Sequence, residues 1–235
     1  MNFNAWPALK TVHYDGWIIR CTGGASRRPN SVNCLRTSTI PLGEKISAAE
    51  AMYERWQQRA VFRLTPLADD GLDRLLEQRG YIVEEPTLVQ HAPIQPTTAR
   101  QIVQVFATVD EAWIEAATQV RGLTGRDAAV FAMQHRAVAI DSGWALVEVN
   151  GQAAAVGTVA IERAWAGLHG IHVAKGVRRL GFARQLTEGL LGFAYARGAR
   201  RAWLQVAQAN AAALPLYHRL GFRTAYSYHH RVGLC

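Results

Sequence analysis

From Gly143 to Val232 the apolar residues change spacing repeatedly, from every second position to every third or fourth and back. A period of two belongs to strands and one near 3.6 to helices, so this stretch must fold as strands interleaved with helices. GWALVEV, Asn150-Gly151 and QAAAVGTVAIE read as strand, tight turn and strand, because Asn-Gly tolerates positive φ at both turn positions. WAGLHGIHV (165–173) is a third strand, short of charge and therefore central in its sheet. After the loop AKGVRRL comes a helix, GFARQLTEGLLGFAYARGA, with Phe182, Leu186, Leu190 (or Leu191) and Ala194 at helical steps and a stop near Gly198. RRAWLQVA is a strand, and NAAALPLYHRLGF is a second helix capped by Asn210 and closed by Gly221. RTAYSYHHRV is the last strand, and residues 108–121 and 127–139 upstream are helical. The expected class is α+β, a mixed central sheet flanked by helices.

The N-terminal half carries a weaker copy of the same order. DGWIIRC and NSVNCLR are strand-like, 44–58 is a helix and AVFRLTP a strand. DDGLDRLLEQRGY is a helix stopped at Gly80, and IVEEPTLVQHA is extended. An ungapped offset of 141 residues lays Phe62 on Trp203, Leu75 on Leu216, Gly80 on Gly221 and Tyr81 on Phe222. Any strand followed by a Gly-terminated helix looks alike, so the alternative is coincidence. The reading taken forward is a degenerate internal repeat, with residues 1–91 as one half, APIQPTT (92–98) as linker and 99–235 as the other half.

Composition narrows the function classes. The formal charge of +8 favours an anionic partner: nucleic acid, a phosphorylated cofactor or an acidic surface. The arginines are dispersed, with no basic run of five and no basic stripe interleaved with aromatics, so nucleic acid is the least supported partner. No apolar run approaches the ~20 residues that cross a bilayer, and no membrane partner is expected. The start, MNFNAWPALK, lacks the basic and apolar regions of a secretory signal. Three cysteines (Cys21, Cys34 and Cys235) with no C-x-x-C read as reduced thiols of a cytoplasmic protein, without disulfides or a zinc site. His229-His230 lacks metal-ligand spacing, and no metal site is expected.

The stretch VRRLGFARQL (177–186) joins the central strand to the helix that follows it. The first N–H groups of a helix have no intrahelical acceptor, and its dipole favours an anion there. Gly181 and Ala183 keep the approach free of bulk, and Arg178 and Arg179 add positive charge. Alone, the pattern fits either a phosphate grip or the arginine-dressed start of an amphipathic helix.

Its context separates the two. Arg178-x-x-Gly181-x-Ala183, preceded by an apolar strand and followed by Asn210 and LYHRLGF, resembles the GNAT superfamily of N-acetyltransferases over roughly residues 99–235. The resemblance implies the acyl-CoA N-acyltransferase fold, with acetyl-CoA as cosubstrate and its pyrophosphate held by the R-x-x-G-x-A loop. The strand at 165–173 would splay from the one at 201–207, and the pantetheine arm would pair with backbone at Ile171 and Val173. Asn210 would touch the cofactor, and Tyr217 near its sulfur would act as general acid; Asn210 as N-cap and Tyr217 as a helix-packing residue are the plainer alternatives. The acceptor, a small-molecule or peptide primary amine, would attack directly in a ternary complex, in a monomer or a homodimer.

Departures from the family pattern limit this. Where some members carry a strand glutamate as base, this chain has Gly167. By strand alternation His169 shares a face with Gly167, Ile171 and Val173, while His172 faces away; His169 is the candidate base, or else a core histidine. In the N-terminal half the corresponding loop is CLRTSTIPL (34–42), with no glycine at the matching position and a proline in the approach, so no diphosphate is expected there. GGASRRPNSVN (23–33) is either a wall of the acceptor pocket or a hairpin with solvated arginines. The alternatives to an enzyme are a non-catalytic acyl-CoA-binding regulatory module, and a basic nucleic-acid-associated protein.

Overall fold

The protein is described by a computed structural model for residues 2–24, 26–35, 39–96 and 102–233. Thr97 and Thr98 of the expected linker, residues 36–38 of CLRTSTIPL and Cys235 lie outside the described residues. The chain forms two compact units that are not consecutive in sequence. A C-terminal unit comprises Met1–Pro7, Gln90–Gln205 and Ala212–Arg223; an N-terminal unit comprises Ala8–Val89, Val206–Ala211 and Thr224–Cys235.

The C-terminal unit contains α1 (Asn2–Ala5), β6 (Val103–Phe106), α4 (Glu111–Arg121), α5 (Gly125–Arg136), β7 (Ser142–Val149), β8 (Gln152–Glu162), β9 (Trp165–Val173), α6 (Phe182–Ala196), α7 (Ala213–Arg219) and most of β10 (Arg201–Ala207). Its strands run in the order β10-β9-β8-β7-β6. All neighbours are antiparallel except β9 and β10, which are parallel. The β7–β8 turn is Asn150-Gly151 with φ of 52° and 73°, the two positive values its sequence predicts. α6 packs on one face, through Leu186, Leu190 and Ala194. α4 lies on the other, capped by Asp110 and tied to the sheet by the Trp113 indole N–H donating to the Ala145 carbonyl at 3.0 Å.

The N-terminal unit contains β1 (Lys10–Tyr14), β2 (Trp17–Cys21), β3 (Val32–Cys34), α2 (Leu42–Arg55), β4 (Val61–Leu64), α3 (Leu72–Gln78), β5 (Ile82–Pro93) as far as Val89, and β11 (Arg223–Val232) from Thr224. Their order is β1-β2-β3-β4-β11-β5. Trp17, Ile19, Val32 and Phe62 form a core with Ile46, Ala49 and Tyr53 of α2 and Leu72 and Leu76 of α3. Here β11, the chain's last strand, pairs antiparallel with β4, His229 opposite Leu64 and Val232 opposite Val61. Arg231 fixes it to α3, its Nε donating to Asp73 at 2.7 Å and Nη1 to the Tyr81 carbonyl at 3.0 Å. The sequence reading divides the chain at 92–98; these pairings place its C-terminal strand in the unit built mostly from N-terminal residues.

The offset of 141 residues recurs in the elements. Shifted by it, α6 falls on 41–55, β10 on 60–66, α7 on 72–78 and β11 on 82–91, against α2, β4, α3 and β5. Gly80 and Gly221, paired by the offset, have φ of 83° and 86°.

Candidate active site

β9 and β10 stay in parallel register only from Trp165 opposite Arg201 to Leu168 opposite Leu204. Among the described residues the β10-side edge of β9 past Leu168 has no registered partner strand, although β9 continues to Val173. Ile171 and Val173, beside which the resemblance expects the pantetheine arm, lie on this stretch of β9.

The register of β9 against β8 corrects the expected facing of its side chains. Pairing passes from His169 opposite Thr158 directly to His172 opposite Val156, so β9 carries one extra residue in this interval. Gly170, with φ of 60°, sits in this bulge. The extra residue reverses the alternation beyond it. His169 and His172 therefore share one face, while Ile171 lies on the opposite face beside Gly157 and Leu186 of α6. A glycine inside a strand pattern was the available signal for the bulge.

His169 is 6 % exposed, with its ring edge-on to Trp203 at 5.1 Å and to Trp6 at 6.1 Å. Gly167 lies on the same face. A Cβ there would come within 2.7 Å of the Trp203 ring and 2.9 Å of His169 Nε2, so packed rings fill the space a glutamate would need. His172 is half-buried, and burial lowers its imidazole pKa, helped by the Arg121 and Arg178 cations.

The loop after β9 has an unusual backbone. Arg179 and Gly181 both take positive φ, 69° and 87°, and Gly181 is the N-cap of α6. The N–H groups of Arg184 and Gln185 donate to the Gly181 carbonyl at 3.1 Å, which leaves the earlier N–H groups of the first turn without helical acceptors. A Cβ on Gly181 would meet nothing nearer than Gln185 at 3.7 Å. Glycine is therefore required by the left-handed backbone rather than by lack of space. Arg178 and Arg179 are exposed, and no carboxylate among the described residues pairs with them. Arg178 Nε donates to the Val173 carbonyl at 3.3 Å.

α7 begins later than expected. Asn210 lies in the turn before it, its N–H donating to the Ala207 carbonyl at 2.9 Å, and Ala212 holds the N-cap position without a side-chain cap. Asn210 is thus not the N-cap. Tyr217 is buried on α7, its ring 5.8 Å from Phe222.

The matching loop of the N-terminal unit is closed by the chain's own carboxylate. Asp15, in the β1–β2 turn, accepts from the N–H groups of Thr39 and Ile40, each at 2.9 Å, and from the Thr39 hydroxyl at 2.6 Å. Lys45 Nζ lies 3.3 Å from the same carboxylate. Pro41, at the N-cap of α2, has no N–H to offer. A cavity of about 540 Å³ borders this helix start, but Asp69 and Asp70 in its lining give it the wrong sign for a diphosphate. By the offset, Ile40 stands for Gly181, Asp69 for Asn210 and Leu76 for Tyr217.

Asp15 also makes a pH prediction. The Thr39 hydroxyl, and then the Ile40 N–H, hold its carboxyl well below the usual carboxylate range. A depressed folded-state pKa contributes stability that is present above the unfolded value of about 3.9 and is lost as pH falls through the folded value. Asp15→Asn should therefore lower Tm at pH 7, and the gap to wild type should narrow as pH falls below about 4. Thermal unfolding between pH 7 and 2 checks this; a gap independent of pH would contradict it.

Among the described residues no group of three or more His, Cys, Asp or Glu could hold a metal ion. No helix there is long and apolar enough to cross a membrane. Cys21 and Cys34 are buried, and among the described residues neither is in a disulfide.

Comparisons with known proteins bear on the fold and the family. The fold is similar to that of the GCN5-related N-acetyltransferase from Kribbella flavida, with a TM-score of 0.72 over 97 % of this chain and 90 % of that one at 16 % identity. It is also similar to a tandem GNAT protein from the clavulanic acid biosynthesis pathway, with a TM-score of 0.66 over 100 % and 87 % at 11 % identity. The mixed sheet flanked by helices is that of the GNAT superfamily of acetyltransferases. "Uncharacterized N-acetyltransferase YobR" of Bacillus subtilis (strain 168) is 25 % identical over 235 residues, 97 % of this chain and 94 % of that protein. Residues 2–234 match the family described as "Probable histone acetyltransferase Rv0428c C-terminal", and the chain belongs to that family.

Proposed function

We propose that the chain is an N-acetyltransferase that transfers an acetyl group from acetyl-CoA directly to a primary amine in a ternary complex. In this reading the chain is a tandem of two GNAT-like halves, and only the C-terminal half holds the donor. The observation that carries it is the contrast between two helix starts. The one at Gly181 offers free N–H groups and two uncompensated arginines, while the one at Pro41 is filled by Asp15.

Bound to the open site, acetyl-CoA would supply an activated acetyl thioester. Arg178 and Arg179 neutralise its diphosphate, and the N–H groups at the start of α6 bind it, with Ala183 keeping the approach small. The free edge of β9 at Ile171 and Val173 orients the pantetheine arm as an added strand would, and Asn210 lies against the cofactor. Tyr217 Oη donates its proton to the sulfur as the thiolate leaves. We assign His169 a packing role rather than proton transfer, because its ring is enclosed by Trp6 and Trp203.

The closed space at Gly167 supports a second reading, an acyl-CoA-binding regulatory module without acceptor chemistry. Release of free CoA thiol from acetyl-CoA, measured across a panel of amines, amino acids and peptides, separates the two. The enzyme reading expects at least one amine to raise the rate above background hydrolysis by about 10²-fold or more, the lower range for positioned acid–base catalysis. A flat response over a panel that includes polyamines, lysine peptides and free N-termini would favour the regulatory module.

A further inference from the structure

The N-terminal unit buries a second set of cations that the proposed reaction does not use. Arg63 on β4 pairs with Asn33 of β3 and with His230 of β11, so the three form one row across the sheet. Their neighbours in sequence, Phe62, Val32 and Arg231, face α2 and α3, which puts the row on the opposite face. Arg20 joins it from β2, two residues beyond Ile18, the partner of Asn33.

These groups are deeply enclosed: Arg63 is 5 % exposed and His230 1 %. Among the described residues, Arg63 Nε and both ring nitrogens of His230 have no hydrogen-bond partner. The Arg63 guanidinium lies over the Tyr228 ring at 4.0 Å, which offsets part of the cost of burying it but satisfies no Nε–H. A turn holds a further cation over the row. Asn30 Oδ1 accepts from the N–H groups of Thr22 at 2.6 Å and Gly23 at 3.0 Å, and Arg28 Nε reaches the Tyr228 hydroxyl at 3.3 Å. Glu84 and Glu85 pair with Arg27, and among the described residues no carboxylate forms an ion pair with Arg63. Burial, reinforced by Arg63, Arg28, Arg27 and His229, pushes the His230 imidazole down to about 3.

A buried guanidinium without a counter-charge is costly, and an oxyanion offering two or more acceptor oxygens would satisfy it. We propose that this face of the N-terminal unit binds a compact oxyanion, a carboxylate or phosphate group carried by a small ligand, through Arg63 and His230 with Arg28 above them. This site is separate from the donor site at Arg178 and Arg179, and its test needs no acetyl-CoA.

The test is thermal unfolding of the whole chain in sodium acetate, sodium phosphate and sodium chloride at equal ionic strength. Acetate or phosphate near a hundred times its Kd should raise Tm by roughly 5 °C above the chloride value. The acetate and phosphate arms tell a carboxylate ligand from a phosphate one. The shift should persist in the double variant Arg178→Gln/Arg179→Gln, which silences the proposed donor site, and be lost when Arg63→Gln is added to it. Arg28→Gln, at a half-buried turn position, should diminish it and serves if Arg63→Gln does not fold. A shift no larger than that in chloride overturns the proposal. So does a shift that, in the double-variant background, survives Arg63→Gln, or Arg28→Gln in its place, because general exclusion of phosphate from protein surfaces would survive both.

Discussion

Replacing Tyr217 by Phe is expected to lower kcat about a hundredfold while the Kd for acetyl-CoA stays within about twofold. The substitution removes one oxygen and keeps the ring, which is buried and packed edge-on against Phe222. The fold loses at most a hydrogen bond, about 0.5–1.5 kcal/mol, a change that thermal unfolding separates from lost chemistry. A proton donor acts as the carbon–sulfur bond breaks, so its loss appears in kcat and in kcat/KM alike. Steady-state kinetics with the best acceptor, paired with titration of acetyl-CoA, checks both halves of the expectation. A kcat within threefold of wild type would place the acid elsewhere.

Gly181→Val is expected to weaken acetyl-CoA binding by about tenfold or more, equivalent to about 1.4 kcal/mol. Gly181 holds φ of 87° at the N-cap of α6, and a residue with a Cβ pays roughly 1–2 kcal/mol to stay there, with β-branched side chains disfavoured further. The nearest group to a new Cβ is 3.7 Å away, so the cost is one of backbone conformation rather than of contact. Valine would either strain the loop or turn it away, and either outcome misaligns the N–H groups that receive the diphosphate. Asn, which tolerates the left-handed region better than other residues, should recover much of the affinity. If Val and Asn both bind acetyl-CoA as wild type does, the loop is not the anion site.

The core of the fold was legible because its signals are local. Asn150-Gly151 specifies its hairpin, the apolar steps from Phe182 to Ala194 specify α6, and Gly221 closes α7. What escaped the sequence depends on pairing at a distance. The last strand, RTAYSYHHRV, has the same alternation whichever sheet receives it. Its place beside β4 is set by its register there and by Arg231 meeting Asp73 and Tyr81, residues about 150 positions away. The facing of His169 and His172 failed for a smaller reason, one extra residue at Gly170 that reverses every later side chain. Residue type alone makes Asn210 a helix cap, whereas the helix begins three residues further on.

The proposed donor site is legible to the extent that it is backbone. Arg178-x-x-Gly181-x-Ala183 sits at a strand-to-helix loop, and both left-handed residues fall within it. The loss of glycine in CLRTSTIPL pointed to a silent partner loop, but nothing in that segment identifies the group that fills it. Asp15 lies more than twenty residues upstream in a hairpin turn, and only folding brings it to Thr39 and Ile40. The buried row of Arg20, Arg63 and His230 was hidden for the same reason, since each stands alone in its own strand between core residues or ion-paired ones.

Calorimetric titration of the whole chain with acetyl-CoA tests the central claim most directly. One saturable site per chain is predicted, with affinity falling as salt rises, because two arginines meet a diphosphate. The absence of saturable binding up to millimolar acetyl-CoA would contradict the claim. Two equivalent sites per chain would contradict it as well, since Asp15 would then not be closing the second loop.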